Sequence, residues 1–138
     1  MTENERQQIA KQLHEEGFSC SQAVLGALED QTGLDRETAM AVAGCFGAGC
    51  GTGELCGAIS GALMAIGMVD PHTVGADQEK KAEVRTRARK CVKAFKDKYG
   101  YVNCRELIAA AKQRRCPEFI DYCTALAGQI IEEIKENN

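Results

Sequence analysis

DQEKKAEVRTRARKCVKAFKDKYG, residues Asp77 to Gly100, decides the fold. Apolar or small residues recur at Val84, Ala88, Cys91, Val92, Phe95 and Tyr99, a spacing of three or four that draws one stripe along a helix. A half-buried strand would alternate instead. Charged residues fill the rest of the circumference, and Gly100 stands where a glycine closes a helix.

The same period runs through most of the chain. Asn4 to Glu16 is a short amphipathic stretch with Ile9 and Leu13 on one face, and Ser21 to Asp30 follows, apolar at Val24, Leu25 and Leu28 and ended by Gly33. Asp35 is placed to cap the next helix, which carries Met40, Val42 and Ala43. Glu54 to Met68 reads as helix until Asp70-Pro71 breaks it, Arg105 to Lys112 as a short one, and Pro117 to Lys135 as the last, striped by Phe119, Cys123, Leu126, Ile130 and Ile134. No run alternates like a strand, and no internal repeat stands out. The fold expected is all-α, a single compact domain over residues 1–138 with about seven helices in an orthogonal or bundle-like arrangement.

Composition narrows the function. The 138 residues suffice for one core, and a net charge of −3 argues against nucleic acid as the main partner. The longest nearly uncharged apolar stretch, Ala58 to Val69, is shorter than the roughly 20 residues a membrane span needs. The start, MTENERQQ, is polar and acidic with no secretory signal, so the expected location is cytoplasmic. Eight cysteines in a reducing compartment point to metal or redox chemistry more than to a disulfide framework.

Four of these thiols share a position. Cys20 stands at the entry to the second helix, and Cys56 lies in the first turn after a glycine-rich loop. Cys104 follows the capping residue Asn103. Cys116 precedes Pro117, which prefers the first helical position, so Cys116 is expected at the N-cap with the N–H groups of Glu118 and Phe119 facing its sulfur. A helix start carries unpaired N–H groups and about half a positive charge, which favours a thiolate. Cys91 and Cys123 fall on apolar stripes and read as packing residues. Cys45 ends the third helix and also reads as structural. Cys50, on the glycine loop, is either a spare exposed thiol or a substitute ligand. The absence of any Cys-x-x-Cys pair argues against a thioredoxin-like dithiol, a zinc ribbon and a local ferredoxin run, so a site must be assembled from distant segments.

Between Gly44 and Gly61, GCFGAGCGTGELCGAISG holds three cysteines and seven glycines. Gly57 and Gly61 lie four apart on one helical face, which lets another helix or a cofactor approach the backbone closely; tight helix packing alone would also account for them. The loop lacks the lysine and spacing of a phosphate cradle. Of the two histidines, His14 lies near Cys20 in sequence, either a surface residue or a further ligand, and His72 reads as a loop residue.

Gly17-Phe18-Ser19-Cys20-Ser21-Gln22, Cys56-Gly57-Ala58-Ile59-Ser60-Gly61, Asn103-Cys104-Arg105-Glu106-Leu107 and Cys116-Pro117-Glu118-Phe119 together resemble the C_GCAxxG_C_C family of redox-active proteins. The resemblance covers nearly the whole chain in order. It implies a redox role with an iron–sulfur group, carries the four family cysteines onto Cys20, Cys56, Cys104 and Cys116, and names no substrate.

The expected function is therefore a redox-active protein that binds an iron–sulfur cluster through Cys20, Cys56, Cys104 and Cys116, with Gly57 and Gly61 beside it and Cys50 as a substitute ligand. A [2Fe–2S] form is favoured, serving electron transfer or redox sensing. One alternative is a thiol–disulfide oxidoreductase with Cys56 as nucleophile; another is a zinc-stabilised structural domain without redox chemistry. Lys80 to Lys98 holds nine basic residues against Glu83 and Asp97, either a solvated helix face or the docking surface for an acidic redox partner. Neither nucleic acid nor a membrane is an expected partner, and a homodimer stays open.

Overall fold

The computed structural model describes residues 1–138. Eight helices run in the order α1 (Glu3–Glu15), α2 (Cys20–Ala27), α3 (Glu29–Thr32), α4 (Arg36–Ala43), α5 (Gly57–Val69), α6 (Gln78–Tyr99), α7 (Cys104–Ala111) and α8 (Cys116–Glu136). There is no strand; one isolated bridge pairs Leu55 with Asn103. The all-α expectation holds. The count is eight because the helix expected over Ser21 to Asp30 breaks at Leu28, whose φ of −100° and ψ of 16° tighten the turn before α3 begins. Gly33, at φ 74°, then closes α3.

Local signals explain most of the ends. The Thr2 hydroxyl accepts from the Glu5 N–H while the Glu5 carboxylate accepts from the Thr2 N–H, a reciprocal cap on α1. Asp35 accepts from the Thr38 N–H and Asp77 from the Lys80 N–H. Gly100 leaves α6 in the left-handed region at φ 85°. Where α5 starts, tertiary pairing overrides propensity. The Cys56 N–H donates to the Val102 carbonyl at 2.8 Å, and the Cys104 N–H donates to the Glu54 carbonyl at 2.7 Å. Glu54 to Cys56 is therefore extended, and α5 begins three residues later than its apolar pattern suggests.

The core is one apolar cluster of 25 buried residues. Helix α5 lies at its centre, packed on α2, α6 and α8, and carries small residues where other backbones come close. Gly61 faces α2: a Cβ there would stand 2.6 Å from the Ser21 carbonyl oxygen and 3.1 Å from Val24. The Ser21 hydroxyl, fully buried, donates to the Ala43 carbonyl at 2.8 Å and ties α2 to the end of α4. Phe95, Leu25, Leu28, Ile59, Ile120 and Ile131 fill the space between these helices.

Two ionic ties hold the periphery. Arg6, 6% exposed, gives hydrogen bonds to both Asp30 carboxylate oxygens and to the Met1 carbonyl. Burial works to raise the Asp30 carboxyl, but the Arg6 guanidinium outweighs it and holds the carboxyl below its usual range. Asp70 takes Lys80 at 2.6 Å and Arg87 at 3.0 Å, which clasps the connection between α5 and α6. No helix is long and apolar enough to cross a membrane.

Gly61→Ala should lower stability by about 1–3 kcal/mol, because the added methyl must push α2 and α5 apart. Gly67→Ala, on the same helix with nothing within 4 Å of the new Cβ, should raise stability by roughly 0.5–1 kcal/mol. Urea melts of both variants check the pair, and an equal effect would refute the close approach.

Candidate functional site

Each of the four cysteines singled out above sits at a helix start. Cys20 is the first residue of α2, after Ser19, whose backbone N–H donates to the Gln22 side chain. Cys56 occupies the N-cap of α5, held there by the bridge to Val102. Cys104 is the first residue of α7. Cys116 is also a first residue, with Arg115 as N-cap. The N-cap expectation for Cys116 is thus corrected by one position: the N–H groups of Glu118 and Phe119 donate to the Arg115 carbonyl at 3.1 and 3.2 Å instead of facing the sulfur.

All four thiols line one cavity of about 340 Å³. Leu107, Ile108 and Phe119 supply an apolar wall, Gly57 leaves room beside Cys56, and His14, Arg114 and Arg115 also line it. No carboxylate belongs to it, although the chain as a whole is acidic. Gly57 owes its place to crowding: a Cβ would lie 3.0 Å from the Phe46 carbonyl oxygen and 3.3 Å from the Cys20 Cβ. Gly61 faces α2 and not the cavity, so of the two glycines only Gly57 belongs to the site.

The glycine loop forms the cavity's edge. Ala48, Gly49, Cys50 and Gly51 follow one another with left-handed φ of 53°, 61°, 59° and 73°. The Glu54 N–H closes this turn onto the Gly49 carbonyl at 3.0 Å. Ala48 thereby reaches the cavity, while Cys50 points outward and is exposed, as is Cys45. Cys50 is therefore not among the converging thiols. Cys91 and Cys123 are fully buried in the core, where burial pushes the Cys91 thiol up to about 12 and the Cys123 thiol well above its ordinary value.

Within the cavity the thiols differ sharply. Hydrogen bonding with Cys20 pulls the Cys116 thiol down to about 6; burial opposes this, and the positive charges of His14 and Arg114 reinforce it. Cys20 shifts the other way, raised by the same hydrogen bond, by burial and by repulsion from Cys116, Cys56 and Cys104. The pair thus shares one negative charge, carried by Cys116. Cys56, 4% exposed, is pushed up to about 11 by burial, with the N–H groups of Ala58 and Ile59 pulling down against it. All eight cysteines are free thiols.

No three of the histidine, cysteine, aspartate and glutamate side chains converge closely enough to hold a metal ion. A single zinc would need its sulfurs gathered about one point at roughly 2.3 Å. Here the thiols stand around an open space.

His14, on the last turn of α1, is half-buried and lines the cavity. The sequence reading missed Arg114 and Arg115. Their signal is the run Arg114-Arg115-Cys116, two permanent cations beside a thiol at a helix start.

A family model described as "Putative redox-active protein (C_GCAxxG_C_C)" matches residues 18–135. The chain belongs to this family. Neither the curated proteins nor the solved structures hold a match to it.

Iodoacetamide labelling followed by peptide mass spectrometry should find Cys116 reacting with a pH profile that rises through about 6, and Cys56 lagging far behind it. Arg114→Ala should move the Cys116 profile upward, since removing the cation disfavours the thiolate. A Cys116 profile centred near the ordinary thiol value of 9.0 would contradict the charge-sharing pair.

Proposed function

Starting from membership of the chain in this redox-active family, we propose that it holds an iron–sulfur cluster through Cys20, Cys56, Cys104 and Cys116 and serves electron transfer or redox sensing in the cytoplasm. The observation that carries this reading is the shared cavity: four thiols from four helix starts around about 340 Å³, with basic side chains and no carboxylate. The donor set fits such a group. Four thiolates suit an iron–sulfur cluster, and a [2Fe–2S] form is the simplest match to one ligand from each of four segments.

When bound, the cluster supplies one-electron chemistry. The chain's own residues bind, insulate and offset charge. Leu107, Ile108 and Phe119 exclude water from one side. His14 and Arg114 counter the negative charge of ligating sulfurs, and the four helix starts add partial positive charge at each thiol. Gly57 keeps the backbone of α5 within reach where any side chain would intrude.

The pairing of Cys116 with Cys20 favours a second reading, thiol–disulfide exchange. The Cys116 thiolate would attack a substrate disulfide and release one thiolate. Cys20 would then pass its proton to the released thiolate and attack the mixed disulfide, releasing the second thiolate and closing a Cys20–Cys116 disulfide. In this reading Cys116 is the nucleophile instead of Cys56, whose burial keeps it protonated.

Anaerobic purification should yield a coloured protein with visible absorption, iron and acid-labile sulfide. Cys20→Ser and Cys104→Ser should lose most of all three, whereas Cys91→Ala and Cys123→Ala should retain them at a cost of about 1 kcal/mol in stability. A colourless protein, or equal iron in all four variants, would refute the cluster. A Cys20–Cys116 disulfide in that colourless protein would support the exchange reading.

A further inference from the structure

The positive charge of this acidic chain is not spread evenly, and its place relative to the thiol cavity separates two candidate surfaces. On α6, Lys80 and Arg87 are taken up by Asp70 and Glu83, Lys90 by Glu133, and Lys93 by Asp97. Four of the nine cations in this run are thus paired; Lys81, Arg85, Arg89, Lys96 and Lys98 are not, and none of the nine lines the thiol cavity. The segment Leu107 to Pro117 carries Lys112, Arg114 and Arg115 and no carboxylate at all. Arg115 is engaged by Glu118 and Arg114 acts on the Cys116 thiol, while Lys112 is exposed and free of ion pairs.

This segment stands at the mouth of the thiol cavity, since Arg114, Arg115 and Cys116 all line it. Its surface continues onto the end of α6. Arg115 lies over the Tyr99 and Phe119 rings, and Lys98 over the Tyr99 and Tyr122 rings. Phe119 lines the cavity, and its ring centroid is 4.8 Å from that of the partly exposed Tyr99. His14 also borders a second cavity between α1 and α8, where Glu15, Glu118 and Asp121 outnumber Lys11. An acidic body approaching the thiol cavity is therefore drawn to the loop between α7 and α8 and repelled from these carboxylates.

We propose that the loop Lys112–Arg115, with Lys98 beside it, is the docking surface for a redox partner with an acidic face. The proposal rests on the redox reading of the cavity and moves the partner site off the length of α6 to the cavity mouth. Charge complementarity selects the occupant: cations at the cavity mouth with no carboxylate among them attract an acidic surface, and their field steers its approach.

A flavodoxin serves as the probe, being a one-electron carrier with an acidic surface, and binding to the full chain is measured by calorimetry at low and high salt. Wild type should bind at low salt and weaken as salt rises. Lys112→Glu/Arg114→Glu should weaken binding by about tenfold or more, and Lys81→Glu/Arg85→Glu on α6 by less than about twofold, with unchanged circular dichroism in both. Zero-length cross-links should join flavodoxin carboxylates to Lys112 or Lys98. No binding by wild type, equal weakening of the two double variants, or cross-links only to Lys81 would overturn the proposal. Binding needs no cofactor in the cavity, so the iron and sulfide content of the same sample reports separately on the cluster.

Discussion

The structure depends on how closely α5 can lie against α2. At Gly61 the α5 backbone meets the Ser21 carbonyl, and at Gly57 it meets Cys20 and the Phe46 carbonyl, with no room for a side chain at either point. That contact sets the starts of two helices side by side, and with them Cys20 and Cys56. The bridge through Leu55 and Asn103 then fastens the start of α7 to the start of α5 and brings in Cys104. Helix α8, packed on α1 and α5, presents Cys116 to the same space. Four segments far apart in sequence converge because each is fixed by its first turn.

Convergence of helix starts has an electrostatic consequence. Thiolates gathered in one cavity repel one another, and burial makes each harder to ionise. The structure meets this with partial charges at four helix ends, two basic side chains acting on Cys116 and a cavity lining without carboxylates. The thiols are graded as a result: Cys116 is ready to ionise at neutral pH, whereas Cys20 and Cys56 are held protonated until something replaces their protons. A site that waits for an electropositive occupant behaves this way, and so does a thiol pair that waits for a disulfide.

Much of this was legible in the sequence because it is local. The apolar stripes gave the helices, Asp35 with Thr38 and the glycines at 33 and 100 gave several ends, and the alignment of Cys91 and Cys123 with core stripes separated them from the other thiols. What escaped was tertiary. The break at Leu28 and the late start of α5 depend on packing and on a bridge to residues more than 40 positions away. Cys116 lies one residue inside its helix because the Arg115 carbonyl, and not the sulfur, accepts the first N–H groups. Partners such as Asp70 and Glu133, which pair part of the basic run of α6, are invisible to a reading along one helix.

X-ray absorption at the iron edge of the anaerobically purified protein tests the central claim most directly, since it reads the atoms around the metal. The account predicts a coordination shell made of sulfur at about 2.3 Å, with iron–iron scattering beyond it, and loss of that pattern in Cys116→Ser. A shell dominated by nitrogen or oxygen, or no iron in the protein at all, would contradict it.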